Sequence, residues 1–301
     1  MKNLEENYIS VVAVAQNLES RIESKIKEIL QVLSDNFKYY ELIVVDNMSE
    51  DKTYHVMKNM REKFTCVQLP IRHDSQSALA AGVNIAIGDY VVEIENLALD
   101  IPYEKIMELY RKCQEGNDFV FLTPEKTSFG SKIFYKILNG QLKNLFLTNI
   151  GSSVMTLSSR RGQNKTAEVG RKLVNRNVSY VLTGLQTASL PISVNYVNKR
   201  GFKQNFELMS QTLLYYTDFV TKLAQTIAGF FFFVSCFFII YSFYMKFTIE
   251  TAPGWASTVI IMSIGFSGVF LMFGLVARYL DNILKGTMKT KGYIYRSIDK
   301  K

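Results

Sequence analysis

The chain has 301 residues, a formal net charge of +8, 48% hydrophobic residues and 13% aromatic residues. That length allows one large domain with an appendage, and the positive balance calls for an anionic partner such as a phosphate-bearing substrate or a lipid surface. No arginine-rich arm or helix-turn-helix pattern supports nucleic acid, and Cys66, Cys113 and Cys236 are too far apart and odd in number for a disulfide framework or a metal site, which fits a reducing compartment.

The N-terminal MKNLEENYISVV is acidic and lacks the apolar core of a secretory signal. YISVVAVA, Tyr8 to Ala15, reads as a strand. The following stretch LESRIESKIKEILQVLSDN places Ile22, Ile26, Ile29, Leu30 and Leu33 at helical spacing. YELIVVD, Tyr40 to Asp46, is a second strand. SEDKTYHVMKNMREKF reads as a helix with Ser49 near its N-cap. CVQLP is a short strand, SQSALAAGVNIAI a small-residue helix and DYVVEIE a strand. IPYEKIMELYRKCQEG is a helix with Pro102 in its first turn, and DFVFLT is another strand. Strands alternating with helices predict an α/β fold with a mostly parallel sheet. In such sheets ligands sit beyond the carboxyl ends of the strands. The ends to watch are Ala13 to Asn17, Asp46 to Ser49, Arg72 to Ser75 and Glu95 to Asp100. No glycine-rich dinucleotide fingerprint follows the first strand, which disfavours nicotinamide and flavin chemistry.

Further along, SKIFYKILNGQLKNLFLT and FELMSQTLLYYTDFVTK alternate apolar and basic residues as interfacial helices do. Residues 223–245 and 251–277 carry no charged side chain, and each is long enough for the roughly 20 residues that cross a bilayer core. Positive charge gathers on their outer flanks, which predicts a multi-pass location in the cytoplasmic membrane with both termini cytoplasmic.

VVDNMSEDKT resembles the Val-Asp-Asp/Asn-x-Ser-x-Asp-x-Thr segment of inverting family 2 glycosyltransferases. RHDSQSALAAGVNIAIGDYV resembles the segment that follows it, with Arg72, Ala78, Gly82, Ala86, Gly88 and Asp89 in place. ARYLDNILKGTMKTKGYIYR resembles the end of that family's polyprenyl-phosphate branch, which includes proteins like dolichol-phosphate mannose synthase and undecaprenyl-phosphate glucosyltransferase. The resemblance implies a sheet of the nucleotide-diphospho-sugar transferase type, followed by a two-helix transmembrane hairpin. It implies a cytoplasmic glycosyltransferase domain at 1–205, with about 130–205 facing the membrane, and a juxtamembrane amphipathic helix at 206–222. Spans at 223–245 and 251–278 and a basic cytoplasmic tail at 279–301 would complete the chain.

The same resemblance assigns residues. Ala13, Asp46, Arg72 and Asp89 are expected at the nucleotide. The family's Asp-x-Asp metal motif falls on Glu95-Asn96-Leu97, a degenerate version in which Leu97 cannot ligate. Glu95 remains as a catalytic and metal-ligand candidate, with Asp100 as a substitute ligand if its loop folds back. A divalent metal, Mg or Mn, is therefore a doubtful cofactor beside the nucleotide-sugar donor. Arg160 and Arg161, in SSVMTLSSRR, are catalytic candidates, and Lys199, Arg200 and Lys203, in NKRGFKQNF, are candidates for the acceptor phosphate. SSVMTLSSRR lacks a carboxylate, which matters little for a phosphate acceptor that is already anionic. His73 stands where the family has Asn and is a weaker nucleotide candidate.

The implied reaction moves a hexose from a nucleotide diphosphate to a polyprenyl phosphate, for cell-surface glycan or glycolipid synthesis. The implied partners are donor, polyprenyl phosphate and lipid bilayer, with a second copy of the chain or a membrane protein such as a flippase as further candidates. The rival reading is a non-catalytic relative that binds nucleotide or lipid, or scaffolds a membrane partner.

Overall fold

The computed structural model describes residues 4–125, 127, 129–142, 151–168, 175–193 and 295–300, with isolated helical positions between 210 and 283. The chain divides into two compact units, Met1–Asn205 with Thr290–Lys301, and Phe206–Lys289. The first unit holds the sheet and the site.

Nine elements follow the expected alternation: β1 (Ile9–Ala15), α1 (Ile22–Asn36), β2 (Tyr40–Asp46), α2 (Thr53–Asn59), β3 (Thr65–Gln68), α3 (Ser75–Val83), β4 (Tyr90–Ile94), α4 (Lys105–Gln114) and β5 (Phe119–Pro124). After them come α5 (Phe129–Leu142), β6 (Met155–Ser159), α6 (Arg160–Glu168), α7 (Arg176–Leu182), β7 (Thr187–Ile192) and β8 (Ser297–Lys300). The eight strands form one sheet in the order β7-β5-β6-β4-β1-β2-β3-β8. β1 pairs in parallel with β2 and β4, β2 with β3, and β5 with β7, whereas β6 and β8 run against their neighbours.

Strand alternation sorts the side chains between two faces. Val92 and Ile94 of β4 join the core with α1 and α4, where Ile22, Ile26, Ile29, Ile106 and Leu109 are buried. Val91 joins the opposite core with Val12, Val14, Ile43, Val45 and the α3 residues Ala78 and Ala81. The small residues of α3 let it lie close on the sheet. A Cβ added to Gly82 would stand 2.3 Å from Val12 Cγ1 and 2.9 Å from Val45 Cγ2.

The structure departs from the expected elements in several places. α2 begins at Thr53 and lacks a side-chain cap from Lys52, while Ser49 stays in the loop and accepts a hydrogen bond from the Asn17 N–H at 3.0 Å. β6, α6, α7 and β7 were not distinguished in the sequence. Ser297–Lys300 pairs antiparallel with β3, where the sequence predicts only a basic tail.

The predicted multi-pass membrane location with cytoplasmic termini is overturned. Among the described residues no helix is long and apolar enough to cross a membrane. The longest, α1, has 15 residues and buries one stripe against the sheet, short of the roughly 20 apolar residues that a span requires. The hairpin expected at 223–245 and 251–278 falls outside the described residues apart from isolated helical positions, as does most of the expected helix at 206–222.

Candidate active site

The carboxyl ends of β1, β2, β3 and β4 share one edge. Two of the loops there contain non-glycine residues in the left-handed region, Asn17 at φ 51° and Met48 at φ 54°. Asn tolerates that conformation, whereas Met does so only at a cost in strain. The β1 and β2 loops are laced together. The Glu50 N–H donates to Asn17 Oδ1 at 2.9 Å, the Leu18 N–H to Thr53 Oγ1 at 2.7 Å and the Glu19 N–H to Asp51 Oδ2 at 3.0 Å. Ser49, Asp51 and Thr53 of the VVDNMSEDKT segment thus build the loop.

Asp46 ends β2 and is fully buried. Its Oδ1 accepts from the Ser49 N–H at 3.3 Å, while Oδ2 has no hydrogen-bond partner among the described residues. Burial pushes the Asp46 carboxyl above its ordinary range, against the opposing hydrogen bonds from Ser49. Beside it, Asn47 and His73 join the β2 and β3 loops through two hydrogen bonds. Asn47 Nδ2 donates to the His73 carbonyl at 2.8 Å, and the His73 N–H donates to Asn47 Oδ1 at 2.9 Å. His73 Nε2 is a second buried polar atom with no hydrogen-bond partner among the described residues. Such orphans in a loop edge mark where a polar ligand would be recognised. Arg72 is exposed in the same β3–α3 loop.

Glu95 follows β4 directly. Ser75 Oγ donates to Glu95 Oε1 at 2.5 Å and Gln76 Nε2 donates to the same oxygen at 3.1 Å. Both donors come from the first turn of α3. Two residues on, Leu97 is fully buried in the core that includes Leu18, Ile22 and Ile101. Asn96 Oδ1 accepts from the Ala98 N–H at 2.8 Å and so shapes the turn. Asp100 turns toward α1, where Lys25 Nζ donates to it at 2.9 Å and Arg21 also pairs with it. The hydrogen bond and charge of Lys25, helped by Arg21, hold the Asp100 carboxyl below its usual range.

A divalent metal fits these residues poorly. Leu97 faces the core, Asp100 is held by two cations, and among the described residues no group of three or more His, Cys, Asp or Glu could hold a metal ion. Hard cations take several oxygen ligands, commonly including carboxylates.

The other expected residues are not brought to this edge. Ala13 lies inside β1, paired with Val44 and Ile94 and fully buried. Because β6 runs against β4, Arg160 and Arg161 return to the amino ends of the parallel strands. Arg160 Nε donates to the Gly88 carbonyl at 3.0 Å and its N–H to the Asp89 carbonyl at 2.7 Å, while Arg161 Nε donates to Asp118 Oδ1 at 2.9 Å. Asp89 Oδ2 accepts from the Tyr8 N–H at 3.0 Å at the same far edge. These contacts fasten the sheet's amino edge. Lys199, Arg200 and Lys203 fall outside the described residues.

Ser75 lies in the Arg72–Ser75 end that the sequence singled out, but sequence reading missed Gln76 and a buried charge cluster around Glu93. Glu93, one position inside β4, was the available signal: a carboxylate within the otherwise apolar YVVEI needs a buried partner. That partner is Arg176, which donates to Glu93 Oε2 at 2.6 Å and Oε1 at 2.9 Å.

Residues 10–160 match the family described as "Glycosyl transferase family 2". An uncharacterized glycosyltransferase of Bacillus subtilis, YkcC, is 24% identical over 300 residues, covering 91% of this chain and 88% of its own. An undecaprenyl-phosphate 4-deoxy-4-formamido-L-arabinose transferase of Photorhabdus laumondii is 28% identical over 116 residues, 37% of this chain and 35% of its own. Among solved structures, glucosyl-3-phosphoglycerate synthase of Mycobacterium tuberculosis, in complex with Mn2+, UDP and phosphoglyceric acid, aligns with a TM-score of 0.53 at 21% identity. It covers 69% of this chain and 76% of that one. That likeness is one of fold: an α/β, mostly parallel sheet of the kind found in nucleotide-sugar transferases.

Proposed function

This chain belongs to glycosyl transferase family 2 and is a transferase, and we propose that it moves a hexose from a nucleotide-diphosphate sugar to a polyprenyl phosphate with inversion, as a step in cell-surface glycan or glycolipid synthesis. The observation that carries this reading is Asp46, a fully buried carboxyl with one oxygen that has no hydrogen-bond partner among the described residues, at the same sheet edge as Glu95. Asp46 and the Asn47–His73 pair read the nucleoside, and Arg72 meets the diphosphate. Glu95, held by Ser75 and Gln76, orients hydroxyls of the hexose. The polyprenyl acceptor is supported by the Photorhabdus relative's name and by the chemistry of the nucleophile.

A phosphate monoester has a second pKa of about 6, so its oxygen is anionic near neutral pH and needs no general base. The acceptor oxygen bonds to the anomeric carbon as the bond to the donor diphosphate breaks, and the nucleoside diphosphate leaves with the electron pair. Arg72 offers positive charge to that leaving group. No step is assigned to a metal, because the residues here do not form its site.

A binding and transfer survey tests the reading. Purified wild type is titrated with a panel of UDP- and GDP-hexoses and then given detergent-dispersed polyprenyl phosphate. One donor is expected to bind and to yield a polyprenyl-phosphate hexose with inverted anomeric configuration. Folded protein that binds no donor in the panel would refute it.

A further inference from the structure

Resting on that reading of Glu95, we infer that Gln76 is a positioning residue for Glu95, and that Arg176 of α7 sets Gln76. Gln76 sits in the first turn of α3 with its side-chain amide spanning two elements. Its Nε2 donates to Glu95 Oε1 at 3.1 Å, and its Oε1 accepts the Arg176 backbone N–H at 3.0 Å. Only one orientation of the amide serves both bonds, because an N–H must meet an acceptor and a carboxyl oxygen a donor. The Arg176 N–H therefore dictates which end of Gln76 faces Glu95.

Arg176 is itself fixed. It is 2% exposed and forms a two-pronged ion pair with Glu93, which is 3% exposed. Tyr180 OH bonds both partners, and Gln163 Nε2 donates to Glu93 Oε1 at 3.1 Å. Asn175 caps the start of α7 by accepting from the Val178 N–H at 3.3 Å. Glu93 lies inside β4 on the same side as Val91, toward α3, and Glu95, one residue past the strand's end, bonds Ser75 and Gln76 of α3. β4 thus carries the anchor of α7 and leads directly into the carboxyl that α7 helps to aim. A two-pronged buried pair of this kind fixes register more surely than it adds stability. α7 lies beyond the residues matched to the family, 10–160.

Gln76→Glu tests the link, since it keeps the size but sets a carboxyl against Glu95. Two carboxyls about 3 Å apart share a proton, and the pair titrates at a raised pKa. Among the described residues, the charged and titratable groups in the array include Glu93 of β4, Glu95 just after it, Arg176 and Tyr180 of α7, and Asp74 at the α3 N-cap. A raised folded-state carboxyl stabilises at low pH and loses that contribution as pH rises through its folded pKa. The melting temperature of Gln76→Glu, relative to wild type, is therefore expected to fall between about pH 5 and pH 8, and the double variant Gln76→Glu/Glu95→Gln to remove that difference. Affinity of Gln76→Glu for the donor that wild type binds is expected to drop at least about tenfold from pH 5.5 to pH 8, again relative to wild type. Melting curves parallel to wild type at every pH would overturn the link. Altered melting with unchanged donor affinity and turnover would overturn the positioning role. Wild type that binds no donor would refute the proposed function, while the melting comparison would still decide the link.

Discussion

Leu97 donates its backbone N–H to the Val14 carbonyl at 3.0 Å, and this bond fixes the turn after β4 with the Leu97 side chain fully inside the core. Residue 97 is therefore part of the packing between β1 and α1. Leu97→Asp is expected to destabilise the fold by about 3–5 kcal/mol, because it places an unpaired carboxylate in an apolar site. Chemical denaturation measures this. A loss under 1 kcal/mol, or a gain in Mn2+ binding, would show that the turn readily presents residue 97 outside the core.

Asp46 sets stability against binding. Burial raises its carboxyl above the ordinary range, so the folded state is favoured with the proton on. That contribution is present below the unfolded pKa of about 3.9 and is lost as pH rises through the higher folded value. Asp46→Asn removes the charge and is expected to raise the melting temperature at pH 7 while abolishing donor binding. Calorimetry on the variant, with and without donor, separates the two effects. A lowered melting temperature would mean that the charged form is satisfied in the fold.

The Met48 backbone is strained, at φ 54° and on an exposed loop. Glycine adopts that conformation freely but costs more chain entropy on folding. Met48→Gly is expected to change stability by less than about 1 kcal/mol in the stabilising direction. A clear loss in thermal denaturation would show that the Met48 side chain makes contacts that outweigh the strain.

The β–α alternation through residue 124 was legible because each strand and helix declares itself over a few neighbouring residues. Asp46, Arg72 and Glu95 were legible as strand-end or loop residues in a recognisable order. Arg160, Arg161 and Asp89 were harder to place, since the direction of β6 decides which edge they reach and strand direction leaves no local trace. Gln76 and Arg176 were hidden for a related reason. Their meeting joins α3 to α7 across a separation of 100 residues, and neither has a periodicity that points to the other. Ser297–Lys300 is too short and too polar to announce itself as an edge strand.

Asp100 lies beside the sheet edge that carries Glu95 but pairs with α1. Its carboxyl is held low by Lys25 and Arg21, so its contribution to stability is present above the ordinary carboxylate pKa. That contribution disappears as pH falls through the lowered value. Lys25 is buried while the Asp100 side chain is 75% exposed. Asp100→Ala is therefore expected to cost about 1–2 kcal/mol at pH 7, between the values typical of exposed and buried pairs. Donor affinity is expected to stay unchanged. Loss of donor affinity in a folded variant would return Asp100 to the site.

Sugar transfer is proposed to occur at the sheet edge that carries both Glu95, after β4, and Asp46, at the end of β2. The most direct measurement is the single-turnover rate of labelled hexose transfer from the bound nucleotide sugar to polyprenyl phosphate, compared between wild type and Glu95→Ala. The account predicts a labelled polyprenyl-phosphate product from wild type and a rate lower by about 10²–10³ in the variant. Equal rates in the two proteins, or no product from folded wild type with any donor, would contradict it.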